Sequence, residues 1–202
     1  VFRIASHCTE ADITEGHIRY CKAEGKTVFG VLMMSHMADK EKLANEAKKM
    51  QDYGAEAIIL MDSSGNYLPK NVEEKVGFLT KNLQISIGFH AHNNLGMGVA
   101  NSIAAIESGA RLIDGSSRGF GAGAGNAQLE VLVSVLDKMG YKTGIDLYKM
   151  LDASDLAEKE LIEQLPYISS SSIVSGLSGV FSGYLTPVKR IAKEYNIDPR
   201  DL

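Results

Sequence analysis

The sequence predicts an α/β fold in which a parallel β-sheet is covered by helices and followed by a helical segment. Strand-like and helix-like stretches alternate in about five repeats along the first part of the chain. The strand-like stretches are short and apolar on both faces, which is typical of buried parallel strands. After roughly residue 145 only helical patterns follow. These three observations give the fold class.

Each repeat pairs an apolar run with a helical pattern. The predicted strands are Phe2–Ser6, Thr27–Met33, Ala57–Met61, Ile85–His90 and Leu112–Gly115. The predicted helices are Thr14–Glu24, Asp39–Tyr53, Asn71–Lys81, Gly98–Ser108, Asn126–Met139, Asp146–Leu165 and Thr186–Tyr195, with Ser169–Ser172 as a serine linker. The second helix places Leu43, Ala44, Ala47 and Met50 on one face, and Gly54 is expected to cap its end.

Five β/α units do not close an eight-stranded barrel, which usually needs about 250 residues. The sequence therefore leaves two architectures: an open doubly wound sheet, or a TIM barrel without its first units. The first residue is Val rather than Met and lies in an apolar run, which favours the incomplete barrel. We expect residues 1–150 to be the carboxyl-terminal part of such a barrel and residues 151–202 to be an incomplete helical domain.

Composition excludes several classes of protein. The 202 residues are 45% hydrophobic and 23% charged, with a formal net charge of −4. No cluster of Lys and Arg indicates nucleic-acid binding, and no apolar run approaches the ~20 residues of a membrane span. Two cysteines near one end fit a reducing compartment, and no secretory signal is visible. We expect a cytoplasmic protein that binds neither nucleic acid nor membrane.

Two histidines form the strongest functional signal. His90 and His92 follow a predicted strand at i and i+2, so their side chains project to the same side. The carboxyl ends of parallel strands carry the sites of open-sheet and barrel proteins, and imidazole is a common ligand of divalent metals. The pattern favours a metal site over the alternative of two loop histidines. A catalytic site needs a further ligand, usually a carboxylate from another strand.

Other strand ends carry weaker candidates. Asp62 and Ser63 could hold substrate or support a ligand histidine, but the string Asp-Ser-Ser-Gly is equally a turn and cap signal. His7 and His36 could line the same edge. Cys8 has no partner in sequence that would activate it as a nucleophile.

The glycine-rich loop Gly119–Gly125 resembles a phosphate cradle but lacks the Lys-Ser/Thr of a P-loop. Its glycines are better explained by a tight turn and close backbone approach. Asn126, predicted to open the next helix, can cap that helix or reach toward a metal.

Six strings, in order along essentially the whole chain, resemble the 4-hydroxy-2-oxovalerate aldolase family. That family belongs to the metal-dependent barrel lyases related to hydroxymethylglutaryl-CoA lyase and isopropylmalate synthase. The strings are His-Cys-Thr-Glu-Ala-Asp (7–12), Leu-Met-Met-Ser-His (32–36), Met-Asp-Ser (61–63), Gly-Phe-His-Ala-His-Asn-Asn-Leu (88–95), Gly-Ala-Gly-Ala-Gly-Asn-Ala-Gln-Leu-Glu (121–130) and Gly-Val-Phe-Ser-Gly (179–183).

The resemblance implies a pyruvate carboxyltransferase-like TIM barrel over residues 1–150 and reversible cleavage of 4-hydroxy-2-oxo acids to pyruvate and an aldehyde such as acetaldehyde. It implies that His90 and His92 bind a divalent metal, usually Mn²⁺, with Mg²⁺ or Co²⁺ as alternatives. It implies substrate contacts by Ser63, His90 and Phe181, and a supporting or ligand role for Asn126 and Asp62. An acylating acetaldehyde dehydrogenase is the implied partner.

Two departures from the family pattern matter. The family's Arg-Asp-Gly segment has no counterpart here. That segment supplies an arginine and an aspartate ligand, and a nearby histidine supplies the base. No catalytic residue is therefore identified, and we expect this chain alone to have little activity. Phe181 stands where the family carries a tyrosine. Two alternatives remain open: an acyl-CoA lyase or synthase of the same superfamily, which would carry a cysteine in the glycine-rich loop, and a non-catalytic partner-binding fragment.

Overall fold

A computed structural model describes residues 1–198 and 200–201. In this part of the chain five strands alternate with helices and further helices follow, as the sequence predicts, although the eight α-helices are one more than predicted. The strands are β1 Phe2–His7, β2 Val28–Met33, β3 Ala57–Asp62, β4 Ser86–Ala91 and β5 Leu112–Asp114. The helices are α1 Glu15–Ala23, α2 Lys40–Tyr53, α3 Pro69–Asn82, α4 Gly98–Glu107, α5 Leu129–Lys138, α6 Leu147–Glu160, α7 Ser170–Ser178 and α8 Leu185–Tyr195.

The strands form one sheet in the order β1-β2-β3-β4-β5 among the described residues. The pairs β1–β2, β2–β3 and β4–β5 are parallel, which confirms the predicted architecture. Consecutive residues of β2, β3 and β4 are buried, so both faces of these strands are covered, and helices α1 and α2 pack against β2.

The sheet is strongly curved. In a flat sheet, β1 and β5 would be four strand spacings apart, about 19 Å, which is beyond the reach of any side chain. The Arg3 side chain of β1 nevertheless hydrogen-bonds the Asp114 carboxylate of β5. This contact requires the sheet to bend toward a barrel and argues against an open doubly wound sheet.

The first of two compact units comprises residues 1–63, 67–90 and 104–114. Its helix α2 buries Leu43, Ala47 and Met50 as predicted, whereas Ala44 of the predicted face is only half-buried. Gly54 ends the helix with a positive φ of 110°. The apolar pattern did not predict that Glu46 is fully buried beside them.

Glu46 is tolerated because every side of its carboxylate is paired. It accepts hydrogen bonds from the Ala11 backbone N–H at 3.0 Å and from the Lys49 ammonium at 2.9 Å, and Lys42 lies 2.8 Å away. Burial alone would raise the pKa of Glu46, but these donors together lower it below its ordinary value. The carboxylate therefore ties the turn after β1 to α2.

The second unit comprises residues 64–66, 91–103 and 115–202. Within it, the predicted serine linker Ser169–Ser172 is wrong, because these serines begin α7. The Ser169 hydroxyl accepts the Ser172 backbone N–H at 3.1 Å, which is the N-cap role that serine favours. The helix predicted to reach Leu165 ends at Glu160.

Arg118 organises the start of α5 in this unit. Its guanidinium pairs with Glu158 at 2.7 Å and also with Asp155, both on α6. Its backbone N–H donates to the buried Glu130 carboxylate at 3.2 Å, and Ser154 donates to the same carboxylate. Arg118 thus holds α6 against the first turn of α5.

Within the described residues, no helix has the length and apolarity that crossing a bilayer requires.

Candidate metal site

His90 lies near the carboxyl end of β4, in register with Asp114 of β5. Its Nδ1 lies 3.0 Å from Asp114 Oδ2, and both side chains are less than one-fifth exposed. The Arg3 guanidinium donates to the two oxygens of the same carboxylate at 2.5 and 2.8 Å. Asp114 therefore joins His90 of β4 to Arg3 of β1.

The charge state of Asp114 follows from these contacts. Burial would raise its pKa, but hydrogen bonds from His90 and Arg3 outweigh burial and lower the pKa to about 2. An ionised carboxylate only accepts hydrogen bonds, so the proton in the His90–Asp114 bond sits on His90 Nδ1. In the neutral ring this tautomer carries its lone pair on Nε2.

Sequence reasoning missed both Asp114 and Arg3. A carboxylate at the end of the strand-like run Leu112–Gly115 was an available signal, of the same kind as Asp62 at the end of its run. No local pattern pointed to Arg3.

His92 lies in the second unit, where it is 7% exposed. Its backbone forms an antiparallel bridge with Asn126. Two flanking hydrogen bonds extend the pairing, from Ala127 N to Ala91 O at 3.0 Å and from Asn93 N to Gly125 O at 2.9 Å. The segment that follows the glycine-rich loop thus runs beside the second histidine.

This pairing corrects the prediction that Asn126 opens a helix. Asn126 is in the bridge with His92, and Gln128 forms a further bridge with Ser116. Because the backbones of Asn126 and Gln128 pair with other segments in bridges, they are not helical, and α5 begins only at Leu129. Asn126 therefore does not cap the helix.

The Asn126 side chain has a hydrogen-bond acceptor, Oδ1, without a donor among the described residues. Its Nδ2 donates to Phe120 O at 3.1 Å and lies 3.4 Å from Ser116 Oγ, which fixes the orientation of the amide. Its Oδ1 is buried and finds no hydrogen-bond partner within the described residues. A buried acceptor without a donor costs about 1–3 kcal/mol, and a cation would relieve that cost. The His92 imidazole and this oxygen, which belong to paired segments of the same unit, are donor types that suit a divalent transition metal.

The described residues do not complete a metal site with a cluster of acidic ligands. Across residues 1–198 and 200–201, no three His, Cys, Asp or Glu side chains come together as a metal-binding group. The expected third ligand, a carboxylate, is thus not supplied by the described part of the chain.

The glycine-rich loop folds tightly on itself, as predicted. Gly125 N donates to Ala122 O and Asn126 N donates to Gly119 O, so these N–H groups are not directed at a ligand. Gly125 has a φ of +85°, and a Cβ there would lie 2.1 Å from Gly119 O. The loop therefore requires glycine for conformation and for space.

Ser63 and Asp62 are fully buried at the end of β3. Ser63 Oγ accepts the Met34 backbone N–H at 2.9 Å, and Asp62 Oδ2 accepts the Tyr67 backbone N–H at 3.0 Å. The Ser63 hydroxyl is therefore not on the accessible surface of this structure. A substrate contact through Ser63 requires the Met34 segment to move.

Lys75 stabilises the turn that follows β2 through three hydrogen bonds. Its ammonium donates to Ser35 O at 3.0 Å, Ala38 O at 2.9 Å and the Tyr67 hydroxyl at 3.0 Å. Burial lowers the pKa of Lys75 and raises that of Tyr67. Tyr67 in turn donates to Ser35 Oγ at 2.9 Å. This network fixes the turn that follows β2.

The remaining candidates are placed as follows. His7 Nδ1 lies 2.8 Å from Thr9 Oγ1 at the end of β1. The buried Cys8 thiol donates to Met34 O, and burial raises its pKa, which makes it a poor nucleophile. In the second unit, the Phe181 ring packs edge-on against Tyr184 with centroids 5.8 Å apart.

Comparison with known families identifies two matching segments. Residues 5–157 match the family described as HMGL-like, and residues 166–202 match the DmpG-like communication domain. The chain is 66% identical over 202 residues to the 4-hydroxy-2-oxovalerate aldolase of Spirochaeta aurantia and 58% identical to that of Pectobacterium atrosepticum. It spans 59% of the length of each of these relatives.

Solved structures share the fold. The N-terminal domain of a proposed aldolase from Bacteroides vulgatus superposes with a TM-score of 0.80 at 26% identity, covering 99% of this chain and 66% of that one. The carboxyl transferase domain of Rhizobium etli pyruvate carboxylase gives 0.82 at 18% identity, covering 99% of this chain and 36% of that one. The second likeness concerns the fold alone. Together with the family match, they confirm the prediction of a partial TIM barrel.

Proposed function

The chain belongs to the HMGL-like family, and on that premise we propose that the full-length protein is a divalent-metal-dependent aldolase. Its substrates are 4-hydroxy-2-oxopentanoate and similar 4-hydroxy-2-oxo acids, which it cleaves to pyruvate and an aldehyde such as acetaldehyde. The names of the relatives, which match the whole chain at 66% and 58% identity, support this reaction.

The proposed metal ligands in this chain are His90, His92 and Asn126. The observation that carries the proposal is the buried Asn126 Oδ1, an acceptor without a donor in the described residues, on a segment whose backbone pairs with His92. The hydrogen bond between His90 Nδ1 and the Asp114 carboxylate, which leaves Nε2 on the other side of the ring for a ligand, is a second supporting feature. Mn²⁺ is the proposed ion, with Mg²⁺ and Co²⁺ as alternatives.

Bound there, a divalent cation would act as a Lewis acid that stabilises the negative charge on pyruvate as the carbon–carbon bond breaks. The chain's own residues orient the ligands: Asp114 holds one imidazole and Phe120 O holds the Asn126 amide. Phe181 adds apolar surface to the substrate site and cannot donate a proton. The arginine and the histidine base that the resemblance implies have no match in this sequence, so the proposal assigns neither role to this chain.

An acylating acetaldehyde dehydrogenase is the proposed partner, and the cytoplasm is the proposed location. The match of residues 166–202 to a communication domain supports the partner. This segment presents an apolar surface cavity, as a docking surface would require. Its lining residues are Val180, Tyr184, Pro187, Val188 and Ile191.

The experiment that tests the function is pyruvate release from 4-hydroxy-2-oxopentanoate by the full-length protein. The protein is stripped of metal, and pyruvate is followed with lactate dehydrogenase and NADH before and after Mn²⁺ is added. We expect activity only with metal, and loss of more than about 100-fold in His90→Ala and His92→Ala, because each removes a ligand.

His17→Ala is the matched control, since His17 is exposed on α1, and it should keep full activity. No pyruvate release with Mn²⁺ would contradict the proposal. The alternative of an acyl-CoA lyase is tested in the same assay with an acyl-CoA substrate. The absence of cysteine from Gly119–Gly125 favours the aldolase.

A further inference from the structure

We propose that Asp114 is a positioning residue that presents His90 to the metal, and that Arg3 in turn fixes the Asp114 carboxylate. Nothing in the sequence resemblance assigned a role to either residue. The inference rests on the proposed metal site and extends it to two strands, β1 and β5, that hold none of the proposed ligands.

The first support is the geometry of the His90–Asp114 contact. The two residues are register partners on adjacent parallel strands, so the backbone of the sheet places their side chains next to each other, and Nδ1 lies 3.0 Å from Oδ2. A carboxylate accepts hydrogen bonds and donates none, so it selects the tautomer with the proton on Nδ1. Metal-binding histidines commonly use such a carboxylate to orient the ring and increase the basicity of the ligand nitrogen.

The second support is the way in which Arg3 holds Asp114. The guanidinium contacts both carboxylate oxygens, at 2.5 and 2.8 Å. Two parallel hydrogen bonds fix the plane of a carboxylate, whereas one would let it rotate. Asp114 Oδ2 accepts hydrogen bonds from both Arg3 and His90, so the orientation of the imidazole depends on the position of the guanidinium. The Arg3 side chain is 44% exposed, so solvent screening limits its energetic contribution and orientation is its main effect.

The competing explanation is a purely structural ion pair that holds β1 near β5. A structural ion pair of that kind would contribute to the free energy of unfolding without affecting the tautomer of His90. The positioning role instead predicts that changing Asp114 alters the proton distribution on the ring and the affinity for metal. The two explanations therefore differ in measurements that do not depend on catalysis.

The test compares the full-length protein with its Asp114→Asn variant. Asparagine keeps the size of the side chain, but its amide can donate to Nδ1 as well as accept from it, so the ring should populate both tautomers. Nitrogen-15 NMR of the metal-free protein reports the tautomer of His90, and titration calorimetry with Mn²⁺ alone reports the affinity. We expect a mixed tautomer and a 10- to 100-fold weaker Kd.

Arg3→Gln is the second variant, and it keeps the proposal testable if Asp114→Asn does not fold. It leaves the carboxylate in place, and we expect a smaller loss of Mn²⁺ affinity in the same direction. Glu56→Gln is the matched control, because it breaks an exposed ion pair with Lys22 in the same unit. That control should bind Mn²⁺ like the wild type.

The outcomes separate the two proposals. If the wild type binds Mn²⁺ and both variants bind it equally well with an unchanged His90 tautomer, the positioning role is overturned and the metal site stands. If the wild type binds no Mn²⁺, the metal site is overturned and the positioning role falls with it.

Discussion

Lys75 gives the sharpest prediction about stability, because one ammonium group satisfies three acceptors in the turn after β2. Replacing it by methionine keeps an unbranched apolar side chain of nearly the same length, but removes all three N–H donors. The acceptors are Ser35 O, Ala38 O and the Tyr67 hydroxyl, at 2.9–3.0 Å. Lys75 is itself only partly exposed, so water cannot fully replace it.

The expected loss can be worked out from these contacts. Ser35 is fully buried, so its orphaned carbonyl costs about 1–3 kcal/mol, and the half-buried Ala38 carbonyl adds about 1 kcal/mol. Relief from burying an ammonium offsets part of this sum, which the lowered pKa of Lys75 reflects. We expect Lys75→Met to lower the free energy of unfolding by about 2–3 kcal/mol.

Urea unfolding of the full-length protein measures this loss. Lys70→Met is the control, because Lys70 lies on the same helix and is exposed, and it should change stability by less than about 0.5 kcal/mol. A Lys75→Met variant as stable as the Lys70→Met control would show that the network does not hold the turn, and would refute the reasoning.

Two further stability predictions follow from buried groups. Glu46→Gln should cost about 2 kcal/mol at neutral pH, since hydrogen bonds to a charged carboxylate are lost. The folded pKa of Glu46 lies below its ordinary 4.5, so the cost of the substitution should be constant above about pH 5.5 and should vanish as the pH falls through the folded pKa. Urea unfolding of both proteins between pH 3 and 7 measures this dependence. A difference in stability that does not change with pH would contradict it. Gly125→Ala should lower the melting temperature far more than Gly140→Ala does. Both glycines have a φ of +85°, but only a Cβ at position 125 would clash, with Gly119 O at 2.1 Å. Equal decreases in melting temperature, measured by calorimetry, would contradict the close packing of the loop.

The order of strands and helices was predictable because it depends on local patterns of apolar residues. The errors fall where polar side chains decide the backbone. The serines before α7 look like a linker by composition, but Ser169 acts as a cap. Asn126 looks like the start of a helix, but its backbone pairs with His92 instead. Neither choice is visible in the periodicity of the sequence.

The site was predictable in part. The spacing of His90 and His92 sufficed to propose a metal site, because a strand fixes the direction of both side chains. The support of His90 was not predictable, since Arg3 and Asp114 are 111 positions apart and meet only because the sheet curves. Glu46 was missed for a similar reason: its partner Ala11 lies outside its own helix.

Anomalous scattering from crystals of the full-length protein grown with Mn²⁺ tests the central claim most directly. We predict one strong peak bound by the His90 and His92 imidazoles, with the Asn126 side-chain oxygen beside it. A fully occupied manganese peak elsewhere, or none near these imidazoles, would contradict the account.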